Sequence, residues 1–338
     1  LRRAGRGPEA LAALWQVEAG LPADGQVLPL RLAKAQKEFA QKLLWPGRDD
    51  EAVPSPEAET LLDKAALVLT DDANAWYYLG VARKQNGHLD LAVTAYQRAI
   101  ALDPKDANSH NGLGNVYRLQ TRYKEAIAAY QRAIELDPKY AYPHHGLGNV
   151  YRLQTRYKEA IAAYQRAIEL DPKFAPPHNS LGNVYRNQSR YEEAIAAYQR
   201  AIELDPKDAT PHHGLGILYS QLGQLDLALA AYQEAVNLNP KDGAFQSSLV
   251  GILRRLGREA EALEHERIAR SLISAENEYN QACFAAICGQ TEEALQLLKT
   301  ALEKQQTSLD WARQDPDLES LHGDDRFWAL VGGRPSAG

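Results

Sequence analysis

The sequence predicts an all-α protein, a right-handed superhelix in which antiparallel helix pairs stack one after another. The main observation is a repeat, because residues 112–139 recur letter for letter as residues 146–173, a displacement of 34 positions. A period of about 20–50 residues is typical of stacked repeat architectures. The second observation is that small and apolar residues inside each period lie three and four positions apart, which is helical spacing. No run of alternating apolar and polar residues predicts a strand.

Each period contains two predicted helices. In the unit that begins at Ala107, positions 7, 8 and 11 share one helical face, and positions 20, 24 and 27 share another. Small residues at positions 8 and 20 predict a close approach of the two helices, with tyrosines beside them. A proline at position 32 ends the second helix. The residues at these seven positions are Leu113, Gly114, Tyr117, Ala126, Tyr130, Ala133 and Pro138.

These positions resemble the tetratricopeptide repeat (TPR). The same frame begins again at Ala73, Ala141, Ala175 and Ala209, so five consecutive units carry the pattern, and Trp76 supplies the aromatic residue of position 4. The resemblance implies stacked helix pairs whose first helices line a concave surface. It also implies a role in binding other proteins.

The N-terminal region, residues 1–72, is interpreted as degenerate repeat helices. Helical periodicity covers residues 8–19 and 27–44, with a turn cluster at 20–25 between them. A loop is expected near residues 45–56, and residues 57–69 resemble the second helix of a repeat. A linker is the alternative for this region. The chain contains no methionine, which favours a fragment or a processed protein.

The five clear units are predicted at residues 73–106, 107–140, 141–174, 175–208 and 209–242. Two degenerate units follow over residues 243–308, where alanines keep the close-approach positions in a less regular frame. Residues 309–338 are predicted to form a capping segment and tail, because terminal repeats need a cover against water. The apolar residues expected to cover the last unit are Leu318, Leu321, Phe327, Trp328 and Leu330.

Composition excludes several classes of function. No run of 18 apolar residues predicts a membrane span, and the chain carries a net charge of −6. Residues 107–208 hold 14 lysines and arginines against 11 acidic residues, a local balance of +3. This excess is small for a nucleic-acid binder, which needs many phosphate contacts. It favours an acidic protein segment as the partner. Two unpaired cysteines, interpreted as core residues, are consistent with a reducing cytoplasm.

Catalytic, cofactor and metal sites are not predicted. Histidines recur at position 4, but successive units lie about 10 Å apart or more, too far for one metal ion to be shared. No catalytic triad or phosphate-binding loop stands outside the repeat pattern, and the repeated GLGN lies inside a helix. The protein is therefore expected to be no enzyme.

The candidate binding residues are polar side chains on the first helices. The resemblance implies that positions 2, 5, 9, 12 and 13 line the concave surface. Positions 5, 9 and 12 lie about 60° apart around a helix, so they share one stripe. Position 5 holds Tyr77, Asn111, His145, Asn179 and His213; position 9 holds Asn115, Asn149 and Asn183; position 12 holds Lys84, Arg118, Arg152 and Arg186.

An asparagine amide matches the donor and acceptor of a peptide bond, and arginine forks onto carboxylates. The pattern departs from the family at position 6, where a frequent asparagine is replaced by Gly112, Gly146, Ser180 and Gly214. We interpret the chain as a protein-interaction scaffold that binds an extended, acid-bearing peptide. One alternative is that the asparagine row is family consensus without a ligand. Others are a sensor or substrate-recruiting arm of a larger enzyme or signalling ATPase, and a helical-repeat RNA reader.

Overall fold

Helix pairs follow one another through the residues that the computed structural model describes, 27–44 and 54–334. Within these residues, every regular element is helical, so the predicted all-α class of consecutive antiparallel pairs is confirmed. The α-helices are α1 Val27–Leu44, α2 Pro56–Val68, α3 Ala73–Gln85, α4 Leu89–Leu102, α5 Ala107–Leu119, α6 Tyr123–Leu136, α7 Ala141–Leu153, α8 Tyr157–Leu170, α9 Ala175–Asn187, α10 Tyr191–Leu204, α11 Ala209–Gln221, α12 Leu225–Leu238, α13 Gly243–Arg255, α14 Glu259–Leu272, α15 Glu278–Ile287, α16 Thr291–Glu303, α17 Leu309–Ala312 and α18 Asp325–Leu330. Short 3-10 helices cover Ile273–Ala275 and Pro316–Leu321.

The predicted helix over residues 8–19 and the turn cluster at 20–25 lie outside the described residues, as does most of the loop expected near residues 45–56. The chain divides into two compact units, Leu1–Val150 and Tyr151–Gly338, here called the N-terminal and C-terminal units. The predicted division into individual repeats stays a prediction. None of the helices in the described ranges is long and apolar enough to cross a membrane.

The first helix of a pair begins where its sequence caps it. The Asp106 carboxylate accepts the backbone N–H groups of Asn108 and Ser109 at 3.1 and 3.0 Å. Asp72 and Asp242 cap α3 and α13 in the same way. Such caps satisfy N–H groups that have no partner within the helix, and each contributes about 1 kcal/mol.

The turn between the two helices of a pair needs a residue with positive φ. Gly87 has φ 82°, and Thr121, Thr155 and Ser189 take the same role with φ between 56° and 58°. In the pair α5 and α6, the turn is closed by the backbone N–H of Arg122, which donates to the carbonyl of Tyr117 at 2.9 Å. A left-handed conformation costs a non-glycine residue about 1–2 kcal/mol, so these turns are strained positions in an otherwise regular array.

Buried tyrosines on several second helices lie between two glycines, and Tyr130 on α6 is an example. Tyr130 is 0% exposed. A Cβ atom at Gly114, on the paired helix α5, would lie 2.7 Å from this ring, and one at Gly146, on the next first helix α7, would lie 2.5 Å from it. Tyr96 sits in the same way against Gly80 and Gly112. The glycines at position 6, which depart from the family pattern, therefore make room for the tyrosine of the preceding pair.

The C-terminal segment packs against the last helix pair. Leu318, Leu321 and Phe327 are buried against α15 and α16, with Trp328 and Leu330 partly buried beside them. Because the alanine side chains of α15 are small, the C-terminal segment can pack close to the backbone of this helix. Ser320 donates to the carbonyl of Ala286 at 3.0 Å.

Candidate functional site

The predicted asparagine and arginine rows lie on the first helices, and in the N-terminal unit they meet on α5. Asn111, Asn115 and Arg118 are spaced by four and three residues, so they share one face of this helix. The hydroxyl of Tyr130, on α6, donates to Oδ1 of Asn115 at 2.8 Å. Arg118 lies close enough to this hydroxyl for its charge to act on the pKa of Tyr130. Asn115 and Tyr130 are therefore held together, with Arg118 beside them.

Burial raises the pKa of Tyr130 to about 12, although the charge of Arg118 acts in the opposite direction. The tyrosine therefore keeps its proton near neutral pH and stays the donor to Asn115. One lone pair of the Asn115 amide oxygen is taken by Tyr130, and the Asn115 NH₂ group can donate to a ligand.

Asn111 and Arg118 contain buried polar atoms that the protein does not satisfy. Asn111 is 8% exposed, and its Nδ2 lies 3.4 Å from the hydroxyl of Tyr140. Its Oδ1 is buried and has no hydrogen-bond partner among the described residues, and the same is true of Nε of Arg118. An unsatisfied buried polar atom costs about 1–3 kcal/mol. Because both atoms are buried, a ligand on the surface reaches them only if these side chains shift.

The remaining predicted residues of the N-terminal unit lie around this group. The ring of Tyr77 packs edge-on against Tyr96 with centroids 5.9 Å apart, and burial raises the pKa of Tyr77 to about 12. Lys84 is half-buried at the C-terminal end of α3. On α7, Nδ2 of Asn149 and Nε2 of His145 are 3.3 Å apart.

In the C-terminal unit the asparagine pattern is repeated. Tyr198 donates to Oδ1 of Asn183 at 2.9 Å, as Tyr130 does to Asn115. Asn179 donates from Nδ2 to the hydroxyl of Thr210 at 3.0 Å, and its Oδ1 is buried without a partner. Arg152 is half-buried.

Arg186 was expected to be a surface side chain, and this expectation is wrong. It is 7% exposed, and its guanidinium lies over the ring of Trp311 at 4.1 Å. The reason is that residues 309–321, here called the covering segment, lie on the first helices of this unit. Asn111 is likewise more buried than expected, because it is packed under Tyr140.

The covering segment is bound by polar contacts to α11 and α13. Gln221 donates to the carbonyl of Gln314 at 3.0 Å, and Ser248 donates to the carboxylate of Asp317 at 2.9 Å. Arg255 and Glu319 form a partly exposed ion pair at 3.7 Å. The candidate surface of the C-terminal unit is thus occupied by an acid-bearing segment of the same chain.

His213 lies beside this segment. Its Nε2 is 3.1 Å from the hydroxyl of Ser248, and its ring packs against Phe245 with centroids 4.8 Å apart. Burial, with the charge of Arg186 as a second cause, lowers the pKa of His213 to about 3. His213 is therefore neutral near pH 7 and acts as a packed polar ring.

A buried acidic pair in the covering segment was missed by sequence reasoning. The hydroxyl of Tyr279 donates to Oδ2 of Asp315 at 2.6 Å, and the Cys283 thiol lies 3.8 Å from the same oxygen. Burial raises the pKa of Asp315, and burial together with the charge of Asp315 raises that of Asp317 to about 7. The sequence sign of this acidic pair is the run Asp315-Pro316-Asp317, which was interpreted only as part of the capping segment.

Cys283 is buried in the core, as predicted, whereas Cys288 is half-buried. The potential ligand atoms of Cys283, Asp315 and Asp317 lie within 4.8 Å of one another. Because Asp315 is already held by Tyr279 and by the backbone N–H of Asp317, hydrogen bonds within the protein account for its position.

Comparisons with known proteins agree with this architecture. Residues 32–287 match the family model described as the Cilia and flagella-associated protein 70 C-terminal domain, a TPR model. The Cut9–Hcn1 hetero-tetramer of the APC/C is 20% identical, covers 88% of this chain and 53% of its own, and has a TM-score of 0.57. It therefore shares the fold over most of the chain.

Two shorter structures also match. YrrB, described as a TPR protein with an unusual peptide-binding site, is 25% identical over 53% of this chain and 92% of its own, with a TM-score of 0.38. PilF of Pseudomonas aeruginosa is 20% identical over 62% of this chain and 92% of its own, with a TM-score of 0.49. A search of curated proteins gave no match.

Proposed function

The chain belongs to the tetratricopeptide-repeat family described by the Cilia and flagella-associated protein 70 C-terminal domain, and we propose that it is a scaffold whose N-terminal unit binds an extended, acid-bearing segment of a partner protein on α5. The TPR fold indicates a protein-interaction scaffold and is typical of proteins without catalysis. The comparisons give no support to the alternative of a recruiting arm of a larger enzyme.

The observation that carries the proposal is the row of Asn111, Asn115 and Arg118 on one face of α5. Arg118 is half-buried, so part of its guanidinium is open to a carboxylate, and the small exposed edge of Asn111 lies at the other end of the row. The NH₂ group of Asn115 lies between them in the helical row and can donate to a peptide carbonyl. The three groups therefore suit a short stretch of backbone that ends at an acidic side chain.

Preorganisation supports this assignment. Tyr130 fixes Asn115 through its hydroxyl, and Gly114 and Gly146 enclose the tyrosine ring. A binding group that is already ordered loses less side-chain entropy when the ligand arrives. The row is thus a rigid set of donors and acceptors.

A peptide-display selection on the full chain tests the proposal. We expect enriched peptides to share an aspartate or glutamate, and we expect Arg118→Gln to weaken their binding about ten- to a hundredfold, since a charge-assisted hydrogen bond contributes about 1.5–3 kcal/mol. Asn111→Ala is expected to weaken all of the peptides, whatever their side chains, because it removes a backbone contact.

Arg132→Gln is the matched control. This arginine lies in the same unit on the second helix α6 and forms an exposed pair with Glu135 at 2.8 Å. The change removes the same charge without touching α5, so binding should be unchanged. Selected peptides that bind the Arg118→Gln and Arg132→Gln variants equally well would contradict the assignment of the site.

A further inference from the structure

A buried cavity in the C-terminal unit lies between a guanidinium group and two carboxyl groups. Its volume is about 150 Å³, and its walls include Arg186, Ser247, Asp315 and Asp317. The covering segment closes it from one side through Trp311. The cavity is therefore built by the packing of the covering segment on α9, α11, α13 and α15.

The charged groups in this cavity are near each other but are not paired. Arg186 is close enough for its charge to lower the pKa of Asp315. No ion pair or hydrogen bond joins Arg186 to either aspartate, and its Nε and Nη1 atoms are buried without a partner among the described residues. Buried charges in proteins are normally paired or hydrogen-bonded. A gap between opposite charges is a position for a bridging molecule.

Two further groups point into the same space. Ser247 is 2% exposed, and its hydroxyl has no hydrogen-bond partner within the described ranges. Asp317, another wall of this cavity, accepts the hydroxyl of Ser248 on Oδ2. The cavity thus offers donors at Arg186 and Ser247 and an acceptor at Asp317.

We propose that this cavity binds a small zwitterion of the α-amino-acid class. The carboxylate of the ligand accepts hydrogen bonds from Arg186 and Ser247, and its ammonium group donates to Asp317 and the neighbouring Asp315. A guanidinium forks onto a carboxylate with good geometry. The ammonium supplies a positive charge beside the buried acidic pair.

The size of the cavity limits the ligand. Its volume corresponds to roughly five water molecules at about 30 Å³ each, which is also the number of non-hydrogen atoms in glycine. A neighbouring cavity of about 300 Å³ shares Ser248 and Asp317 as walls, and it can take a small side chain. Glycine and L-alanine are therefore the expected ligands. This site is separate from the peptide surface of α5 and does not depend on the proposed function.

Isothermal titration calorimetry of the full chain with glycine and L-alanine tests the proposal, with acetate and methylamine as ligands that carry one charge each. We expect saturable binding of the amino acids and at least tenfold weaker binding of the two half-ligands. The melting temperature should rise with amino-acid concentration, because a ligand that binds only the folded state stabilises it.

Variants separate the site from general effects on folding. Ser247→Ala removes a hydroxyl for which the described part of the chain supplies no partner, so we expect normal folding and several-fold weaker amino-acid binding. Arg186→Gln is expected to weaken binding at least tenfold, with folding checked by circular dichroism. Arg152→Gln, at the same position of the preceding first helix, should leave binding unchanged.

Three results would overturn the proposal: no saturable binding of either amino acid, acetate binding as tightly as glycine, or unchanged affinity in Ser247→Ala and Arg186→Gln together. If neither amino acid binds, the cavity holds water only. If acetate binds as tightly as glycine, the cavity is an anion site. If both variants bind normally, the amino acid binds elsewhere in the protein.

Discussion

Gly146→Ala is expected to destabilise the protein, although the same change inside a helix ordinarily stabilises it. An alanine in a helix is favoured over glycine by about 0.5–1 kcal/mol. In this protein the added Cβ would lie 2.5 Å from Cε1 and Cζ of Tyr130, where ordinary contact begins at 3.4 Å. The ring cannot retreat, because it is 0% exposed and has Gly114 against it on the other side.

The magnitude follows from these opposing effects. Overpacking of this kind costs about 1–3 kcal/mol. A shift of the ring also lengthens the 2.8 Å hydrogen bond from its hydroxyl to Asn115, which contributes about 1 kcal/mol. After the helix-propensity gain is subtracted, we expect a net loss of about 1–3 kcal/mol in the free energy of unfolding.

The Tyr130→Leu variant separates the steric clash from the effect of helix propensity. Leucine at position 130 lacks the two ring atoms that clash, so Gly146→Ala should stabilise the Tyr130→Leu variant by about 0.5–1 kcal/mol. The measurement is urea unfolding followed by helical circular dichroism for the four proteins of this double-mutant cycle. Gly323→Ala, where a Cβ meets nothing within 4 Å, is the control. If Gly146→Ala stabilised the unmodified protein and the Tyr130→Leu variant equally, a Cβ at residue 146 would not clash with the Tyr130 ring.

Two further predictions concern the turns and the acidic pair. Thr121→Gly should raise the free energy of unfolding by about 0.5–1 kcal/mol, because it relieves a φ of 58° that costs threonine more than glycine loses in chain entropy; an unchanged urea midpoint would show that the turn is unstrained. Burial raises the pKa of Asp317 in the folded protein from its ordinary 3.8 to about 7, so its contribution to stability is complete below about pH 4 and is lost as pH rises through 7. Asp317→Asn should remove this loss, which approaches about 1.4 kcal/mol per pH unit. Urea unfolding of both proteins from pH 4 to 8 measures it, and parallel curves would contradict it.

Much of the fold follows from the sequence because the repeat dictates local structure. The alanine and tyrosine of Ala126 and Tyr130 recur in each clear repeat at helical spacing, and Asp106 precedes α5 as a cap, so helix positions could be assigned without coordinates. The role of Gly146 could not be predicted from the sequence. This glycine stands at position 6 of its repeat, where it visibly departs from the family pattern. Its role depends on a contact with the tyrosine of the preceding helix pair, which spacing alone does not show.

The candidate surface could be predicted only in part. Rows at positions 5, 9 and 12 follow from helical geometry, yet the sequence does not show that Tyr130 occupies the oxygen of Asn115. The burial of Arg186 was also hidden, since Trp311 lies far along the chain and reaches this arginine only through the covering segment. The packing of a terminal segment on distant helices leaves no periodic pattern in the sequence, so this contact could be found only in the structure.

The central claim is that Arg118 holds an acidic side chain of a partner segment. The most direct test is a double-mutant cycle between Arg118→Gln and an aspartate-to-asparagine or glutamate-to-glutamine change at the acidic residue of a display-selected peptide, with dissociation constants measured by fluorescence anisotropy. We predict a coupling energy of about 1.5–3 kcal/mol, typical of a charge-assisted hydrogen bond. Independent effects of the two changes, with a coupling near zero, would contradict the account.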